Sequence, residues 1–157
     1  MATLGDAFSD DERRKSVARQ LQPGTIIFLD VAFPQGRRPK FLVVAHVEHE
    51  CCTFIVNSRI TTFIEAHPKL AVCQVKIDAA RHPCFRHDSH IACHELLRLP
   101  TAKVITELAA DLSRIKGNLH PEVVAEVVAA VKRAPTLSPA EQTRIADALS
   151  HQSAGGD

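Results

Sequence analysis

The chain has 157 residues, the usual size of one domain with a single core, and 45% of them are hydrophobic, which excludes a wholly disordered protein. Its 19 basic and 18 acidic side chains leave a formal net charge of +1. This balance excludes an overall field that draws the protein to nucleic acid or membranes, so any contact with nucleic acid depends on a local basic patch.

The N-terminal segment is predicted to form a short helix. The run Ser9-Asp10-Asp11-Glu12 has the S-x-x-E pattern of a capping box, in which the first and last side chains satisfy free backbone N–H groups. Acidic residues at the start and basic residues further along suit the helix dipole, and the helix is expected to run to about Gln20.

Short apolar segments rich in β-branched residues follow this helix and are predicted as strands. They cover residues 25–29, 41–45, 52–60 and 71–77, and a last short strand is expected within residues 88–97, centred on 89–93. The segment 30–38 is predicted as a loop because Pro34 and Gly36 interrupt it. Several short strands joined by turns favour a small antiparallel β-barrel over a parallel sheet.

The hydrophobic period changes to a helical one after residue 99. Valine and leucine residues four positions apart predict a helix over residues 102–115, which Lys116-Gly117 ends. A valine stripe predicts a second helix that begins near Pro121. A second capping box, at residues 138–141, predicts a third helix.

Together these elements predict one α+β domain over residues 1–157. The β-barrel portion is expected over residues 21–98, and the helical portion over residues 99–149. The polar tail, residues 150–157, is predicted to be disordered.

Cysteine usage and hydropathy indicate a protein that stays inside the cell. The number of cysteines is odd, five, and Cys51 and Cys52 are adjacent. The N-terminus is polar and acidic, unlike a secretory signal, and no apolar run approaches the roughly 18 residues that span a bilayer. We therefore expect reduced thiols, a cytoplasmic location and no contact with membranes.

Histidine and cysteine residues are dense in one short segment, which holds His82, Cys84, His87, His90, Cys93 and His94. Thiolate and imidazole groups that converge tetrahedrally bind zinc, so a metal site is one interpretation. No CxxC pair is present, and on a strand Cys93 points away from His90 and His94. A histidine-rich surface loop beside a buried cysteine is therefore the second interpretation. A Cys/His nucleophile pair is the third, without a glycine-rich elbow or an oxyanion motif in its favour.

A cluster of positive charge, Gly36-Arg37-Arg38-Pro39-Lys40, lies between the first two predicted strands. Arginine is planar and permanently charged, so it suits a phosphate contact, although a solvated turn explains the same charges. The sequence contains no GxxxxGK[ST], GxGxxG, HExxH or GxSxG motif. Their absence argues against nucleotide-dependent enzymes, zinc proteases and esterases.

Three sequence segments occur along the chain in an order that is typical of one protein family. The first is Pro23-Gly24-Thr25-Ile26-Ile27-Phe28-Leu29-Asp30, and the second is Arg37-Arg38-Pro39, which leads into the next apolar strand. The third is the strand that begins at Asp88-Ser89, with its leucine-rich turn into a helix. Over about residues 21–117 this order resembles the PemK/MazF-like toxin family.

The resemblance implies an SH3-like barrel with helices, usually a homodimer, that acts as an endoribonuclease without a metal ion or other cofactor. Its partners would be RNA and a neutralising antitoxin protein. The resemblance places the catalytic arginine on Arg38, with Arg37 beside it. It places the catalytic hydroxyl near the end of the third strand, on Ser58 or Thr61, with Thr62 as a further candidate. Lys40 and Arg59 are the other cations expected to contact RNA.

The chemistry that the resemblance implies is RNA cleavage through the neighbouring 2′-hydroxyl. It requires removal of that proton, protonation of the leaving 5′-oxygen and stabilisation of charge on the phosphorane. Arg38 would supply positive charge, and the hydroxyl would orient the phosphate. The alternative is a catalytically inactive barrel that binds a protein or a nucleic acid. The near-zero net charge and the absence of Trp and Tyr favour a protein as its ligand.

Overall fold

The computed structural model describes residues 9–154 as six strands, six α-helices and one turn of 3₁₀ helix. The strands are β1 (Thr25–Phe33), β2 (Gly36–Val47), β3 (Glu50–Asn57), β4 (Gln74–Ile77), β5 (Ser89–Pro100) and β6 (Ile115–Asn118). The helices are α1 (Asp10–Gln20), α2 (Thr62–Glu65), α3 (Pro68–Ala71), α4 (Thr101–Ala110), α5 (Pro121–Lys132) and α6 (Pro139–Ala154), and the 3₁₀ turn is Leu112–Arg114.

The six strands form one curled antiparallel sheet, a half-barrel with the strand order β4-β5-β3-β2-β1-β6. All five pairings between neighbouring strands are antiparallel. The predicted α+β class and the antiparallel arrangement are therefore confirmed. In the described part of the chain β4 and β6 stand at the two edges of the sheet, and closure as an SH3-like barrel stays a prediction.

Alternation along β2 sends neighbouring side chains to opposite faces of the sheet. Val43 and Ala45 join a core that is covered by α5 and α6, whereas Leu42 and Val44 join a second core that is covered by α1 and α4. All four side chains are fully buried. The sheet is thus the middle layer of the fold, with helices packed on both of its faces.

The N-terminal helix α1 begins as its capping box predicts. Ser9 Oγ accepts a hydrogen bond from the backbone N–H of Glu12 at 3.1 Å. The helix is attached by two apolar side chains, Val17 and Leu21, which are buried in the core shared with α4. The predicted helix to Gln20 is confirmed.

The prediction of a loop over residues 30–38 is wrong. β1 continues to Phe33 and β2 begins at Gly36, so that only Pro34 and Gln35 lie between the two strands. The ladder includes the pair of Val31 with Arg38, and Gly36 takes a φ of 126°, which favours glycine. The arginine pair therefore lies on a strand, and its two side chains point to opposite faces of the sheet.

Other strand boundaries also differ from the prediction. β3 ends at Asn57 instead of residue 60, and the first half of the predicted strand 71–77 is occupied by the end of α3 and a turn. β5 runs from Ser89 to Pro100, far beyond residue 93, because its second half pairs with β3. This pairing carries the sheet past residue 98, the predicted end of the β portion.

The portion 99–149 is not wholly helical, which corrects the prediction. α4 ends at Ala110, and the four residues of β6 pair with β1 at the edge of the sheet. The predicted disordered tail is wrong for residues 150–154, which continue α6, while residues 155–157 lie outside the described part of the chain. Over residues 9–154, the helices are too short or too polar for any of them to cross a bilayer.

Candidate functional site

A groove of about 320 Å³ opens where β2, β3 and β5 approach α2. Its polar lining consists of Arg38, Lys40, Asn57, Arg59, Thr61, Gln74, His94 and Glu95. Its apolar lining includes Phe33 and Ile55, which also pack against the core beneath α1 and α4. We call this feature the cationic groove because three of its side chains are cations and one is a carboxylate.

Strand alternation selects which basic side chains of β2 reach the groove. Arg38 and Lys40 are two residues apart, so both side chains lie on the groove face of the strand. The Arg38 guanidinium stands over the ring of Phe33, 5.1 Å from its centroid, which holds it at the wall of the groove. Arg37 points to the other face, and its Nη2 donates to the carbonyl of Asp30 at 3.3 Å.

The chain segment after β3 supplies a cation and a hydroxyl group. Arg59 and Thr61 line the groove, whereas Ser58 lies in an exposed bend outside the groove lining. Thr61 is the N-cap of α2, where its Oγ1 accepts from the backbone N–H of Ile64 at 3.2 Å. Because a threonine hydroxyl carries its own proton, Thr61 retains a donor for a ligand in the groove.

A bulge in β5 brings two further side chains to the groove. Phe54 pairs with Leu96 and Val56 pairs with Ile91, so β3 has one residue where β5 has four, residues 92–95. The extra residues break the alternation of β5, and the adjacent residues His94 and Glu95 both line the groove. Both also line an adjoining cavity of about 340 Å³ near Arg98, so the groove continues past them.

Gln74 holds the His94 ring in one orientation. The side-chain amide of Gln74 donates to the carbonyl of Leu70 at 3.1 Å and to His94 Nδ1 at 2.9 Å. Burial lowers the pKa of His94 from its usual 6.5, while Glu95 opposes this shift. A neutral ring that accepts at Nδ1 carries its proton on Nε2, which lies 4.0 Å from the Glu95 carboxylate.

The segment dense in histidine and cysteine does not come together as one site. Within residues 9–154, no three His, Cys, Asp or Glu side chains lie close enough to hold a metal ion. His82 is buried with both ring nitrogens bonded, because Nδ1 donates to the carbonyl of Asp78 at 2.8 Å and Nε2 accepts from the backbone N–H of His120 at 3.0 Å. Cys93 is fully buried in the core under α5 and α6.

The thiols are unsuited to nucleophilic chemistry. All five cysteines are free, and burial raises the pKa of each thiol, to about 12 for Cys51. A thiol with so high a pKa carries almost no thiolate at neutral pH, and the thiolate is the reactive form. The burial of the thiols and their raised pKa values therefore argue against a Cys/His nucleophile pair.

The structure thus brings four of the predicted site residues together and leaves two outside. Arg38, Lys40, Arg59 and Thr61 line one groove, whereas Arg37 and Ser58 do not. Gln74, His94 and Glu95 were missing from the predicted site. His94 had a signal in the sequence, as a member of the segment dense in histidine, but Gln74 and Glu95 had none.

The groove thus combines cations, a hydroxyl at a helix N-cap and a neutral imidazole, which are chemical groups suited to contact a phosphate. Comparisons with known proteins found no relative: neither a protein-family model nor a curated protein matches the chain. The assignment of function therefore depends on the groove itself.

Proposed function

We propose that the cationic groove is the active site of an endoribonuclease that cleaves RNA through the 2′-hydroxyl and needs no metal ion. The observation that carries the proposal is that Arg38 and Thr61 line the same groove, together with the cations Lys40 and Arg59. A guanidinium and a hydroxyl are groups suited to binding a phosphate and to stabilising the charge that develops on it.

The groove suits a polyanion that passes through it. Arg38, Lys40 and Arg59 offer three positive charges to successive phosphates, with Glu95 as the one carboxylate in the lining. The adjoining cavity, of about 340 Å³, extends the path beyond His94 to the ion pair of Arg98 with Glu141. An extended strand therefore fits this surface better than a single small anion does.

The residues of the groove supply the base and the charge stabilisation for the cleavage, and water supplies the proton for the leaving oxygen. The Glu95 carboxylate takes the proton of the 2′-hydroxyl, and the 2′-oxygen forms a bond to phosphorus. Arg38 stabilises the negative charge on the phosphorane, while Thr61 Oγ1 and the Nε2–H of His94 donate to its oxygens. The bond to the 5′-oxygen then breaks, and this oxygen takes a proton from water. A 2′,3′-cyclic phosphate and a 5′-hydroxyl end result, and Glu95 returns its proton to the hydroxide ion left in solution.

The resemblance to PemK/MazF-like toxins supports the same conclusion, because that family is expected to place its catalytic arginine on Arg38. On this basis we also propose that the curled sheet is a form of the SH3-like barrel. The protein would act in the cytoplasm as a homodimeric toxin that an antitoxin protein neutralises.

The test uses purified protein, mixed-sequence RNA and EDTA. We expect wild-type protein to produce fragments with 2′,3′-cyclic phosphate ends, and Arg38→Ala to lower the cleavage rate by about 100-fold or more, because one positioned charge donor is lost. Arg37→Ala is the matched control, since it removes the same charge from the opposite face of the same strand. We expect this control to change the rate by about threefold or less.

Two results would contradict the proposal. Equal losses of rate in Arg37→Ala and Arg38→Ala would show that net charge, and not the groove, supports cleavage. RNA that stays intact with a large excess of folded wild-type protein would exclude the nuclease and favour the catalytically inactive binding module.

A further inference from the structure

Phe63 is the most exposed large apolar side chain in the part of the chain that the structure describes, with 63% of its surface accessible. It lies on α2, the short helix that begins at the cationic groove, where Thr61 and Ile64 belong to the groove lining. Phe63 itself is outside that lining, although it precedes Ile64 directly in the chain. Its ring adds little to the core, so the fold does not explain its exposure.

The Phe63 ring is held in place by a second ring. His67 lies one helical turn further along the chain, with its ring centroid 4.2 Å from that of Phe63 and an angle of 34° between the ring planes. The Nδ1–H of His67 donates to the backbone carbonyl of Phe63 at 2.6 Å, which fixes the ring of His67. Two rings in contact, one of them hydrogen-bonded to the backbone, therefore lie on the chain segment that follows the groove residue Thr61.

Cationic grooves and exposed rings are combined in proteins that bind single-stranded nucleic acid. The cations follow the backbone, and bases stack on aromatic side chains whatever their identity. The groove supplies the cations Arg38, Lys40 and Arg59. The chain contains neither Trp nor Tyr, so phenylalanine and histidine are the only rings that can stack on a base.

We propose that Phe63 and His67 form a base-stacking platform, which receives an unpaired base of a single-stranded RNA whose backbone lies in the cationic groove. The proposal builds on the proposed function, because the groove must bind the RNA backbone. It adds that the substrate is unpaired at this position. Bases in a duplex are stacked inside the helix and cannot reach the platform.

The absence of Trp and Tyr makes a direct test practical. Phe63→Trp introduces a single tryptophan at the platform, and Leu112→Trp introduces one at another exposed position, outside the groove lining. The probe is a single-stranded, mixed-sequence 2′-O-methyl oligonucleotide of about ten nucleotides, which lacks the attacking hydroxyl and stays intact. Fluorescence anisotropy of the labelled oligonucleotide measures its binding independently of the tryptophan signal.

We expect the tryptophan fluorescence of Phe63→Trp to be quenched along the same binding curve that anisotropy gives, while that of Leu112→Trp stays unchanged. The same oligonucleotide in a duplex should leave the Phe63→Trp variant unquenched. Phe63→Ala should weaken binding of the single strand by roughly 10-fold to 100-fold, and Phe63→Tyr should retain it, with circular dichroism to confirm that each variant is folded.

The outcomes separate this inference from the proposed function. If anisotropy reports binding but the fluorescence of Phe63→Trp is not quenched, or if Phe63→Ala binds as tightly as wild type, the platform is wrong and the nuclease proposal stands. If the oligonucleotide does not bind to wild-type protein at all, both proposals fail.

Discussion

His46, His82 and His94 differ in how the fold satisfies their ring nitrogens. Both nitrogens of His82 are bonded to backbone groups, and His94 accepts from Gln74 at Nδ1. Nε2 of His46 is buried without a hydrogen-bond partner in residues 9–154. Histidine therefore has three roles in this fold. His82 bridges two backbone segments, His94 is an oriented donor in the groove, and His46 is a neutral ring buried near α6.

His46 is expected to make the protein less stable in mild acid. Burial lowers its pKa from 6.5, with Glu48 opposing the shift and Arg144 adding to it. The unfolded chain therefore binds a proton near pH 6.5 while the folded protein does not. Stability is retained above this pH and decreases as the pH falls below it, by at most about 1.4 kcal/mol per pH unit for one group.

Urea unfolding of wild type and His46→Leu at a series of pH values from neutral to mildly acidic measures this effect. The leucine variant should lose less stability on acidification than wild type does. Because the pKa of His94 is also lowered by burial, part of the dependence should persist in the variant. Identical pH dependence in the two proteins would show that His46 is not a source of the acid sensitivity.

At the scale of elements, the loop between β4 and β5 is joined to the start of α5. His82 accepts from the backbone N–H of His120, the N-cap residue of α5. Arg81 forms ion pairs with Asp78 at 2.8 Å and with Glu122 at 2.9 Å, and holds the pKa of the Asp78 carboxyl well below its usual range. A buried hydrogen-bonded tie and an exposed ion-pair network thus connect the same two elements.

We expect the buried tie to matter more than the exposed ion pairs. His82→Phe leaves the carbonyl of Asp78 and the N–H of His120 without their partner, so it should lower the free energy of unfolding by about 2–4 kcal/mol. Arg81→Ala should lower it by clearly less, because solvent screens its exposed ion pairs. Urea unfolding of both variants measures the difference, and equal losses would contradict this ranking.

The sequence predicted correctly those helices whose start or buried face is marked by a pattern of a few neighbouring residues. The capping box at Ser9, the valine stripe of α5 and the proline at the start of α6 each indicate structure within a few residues. β6 was missed because Ile115–Asn118 has no alternating apolar pattern, and it becomes a strand only by pairing with β1. The second half of β5 was missed for the same reason, since its pairing with β3 is a long-range contact.

The candidate site could be predicted in its residue types but not in its geometry. Arg38 and Thr61 were named through the resemblance to PemK/MazF-like toxins, whereas the face on which Arg37 and Arg38 each lie depends on the register of β1 and β2. A shift by one residue would exchange the two side chains between the faces of the sheet. Glu95 reaches the groove through the bulge in β5, which follows from pairing with a distant strand.

At the scale of the whole molecule, the sheet has two cores that cannot be separated from each other. Val43 and Val44 are neighbours on β2, yet they contact different layers of helices. Removal of either layer exposes one complete apolar face of the same sheet. The fold should therefore behave as one cooperative unit, without a barrel that is stable by itself.

A fragment that ends at residue 118 tests this expectation, because it keeps all six strands and lacks α5 and α6. It loses the buried side chains of both helices, among them Val127 and Leu149. We expect weak and non-cooperative unfolding in urea and strong binding of a hydrophobic dye, in contrast to the full chain. A steep cooperative transition in the fragment would show that the barrel folds by itself.

The bulge in β5 also bears on how the groove can change over evolutionary time. Residues 92–95 make no pair with β3, so the ladder between β3 and β5 does not itself fix how many residues this stretch contains. An insertion or deletion after Ala92, which pairs with Gln74 of β4, would replace chemical groups that line the groove and leave the flanking strand pairs in register. A change of chain length at this one point would therefore alter several groups of the groove lining at once, whereas a single substitution on a regular strand alters only one.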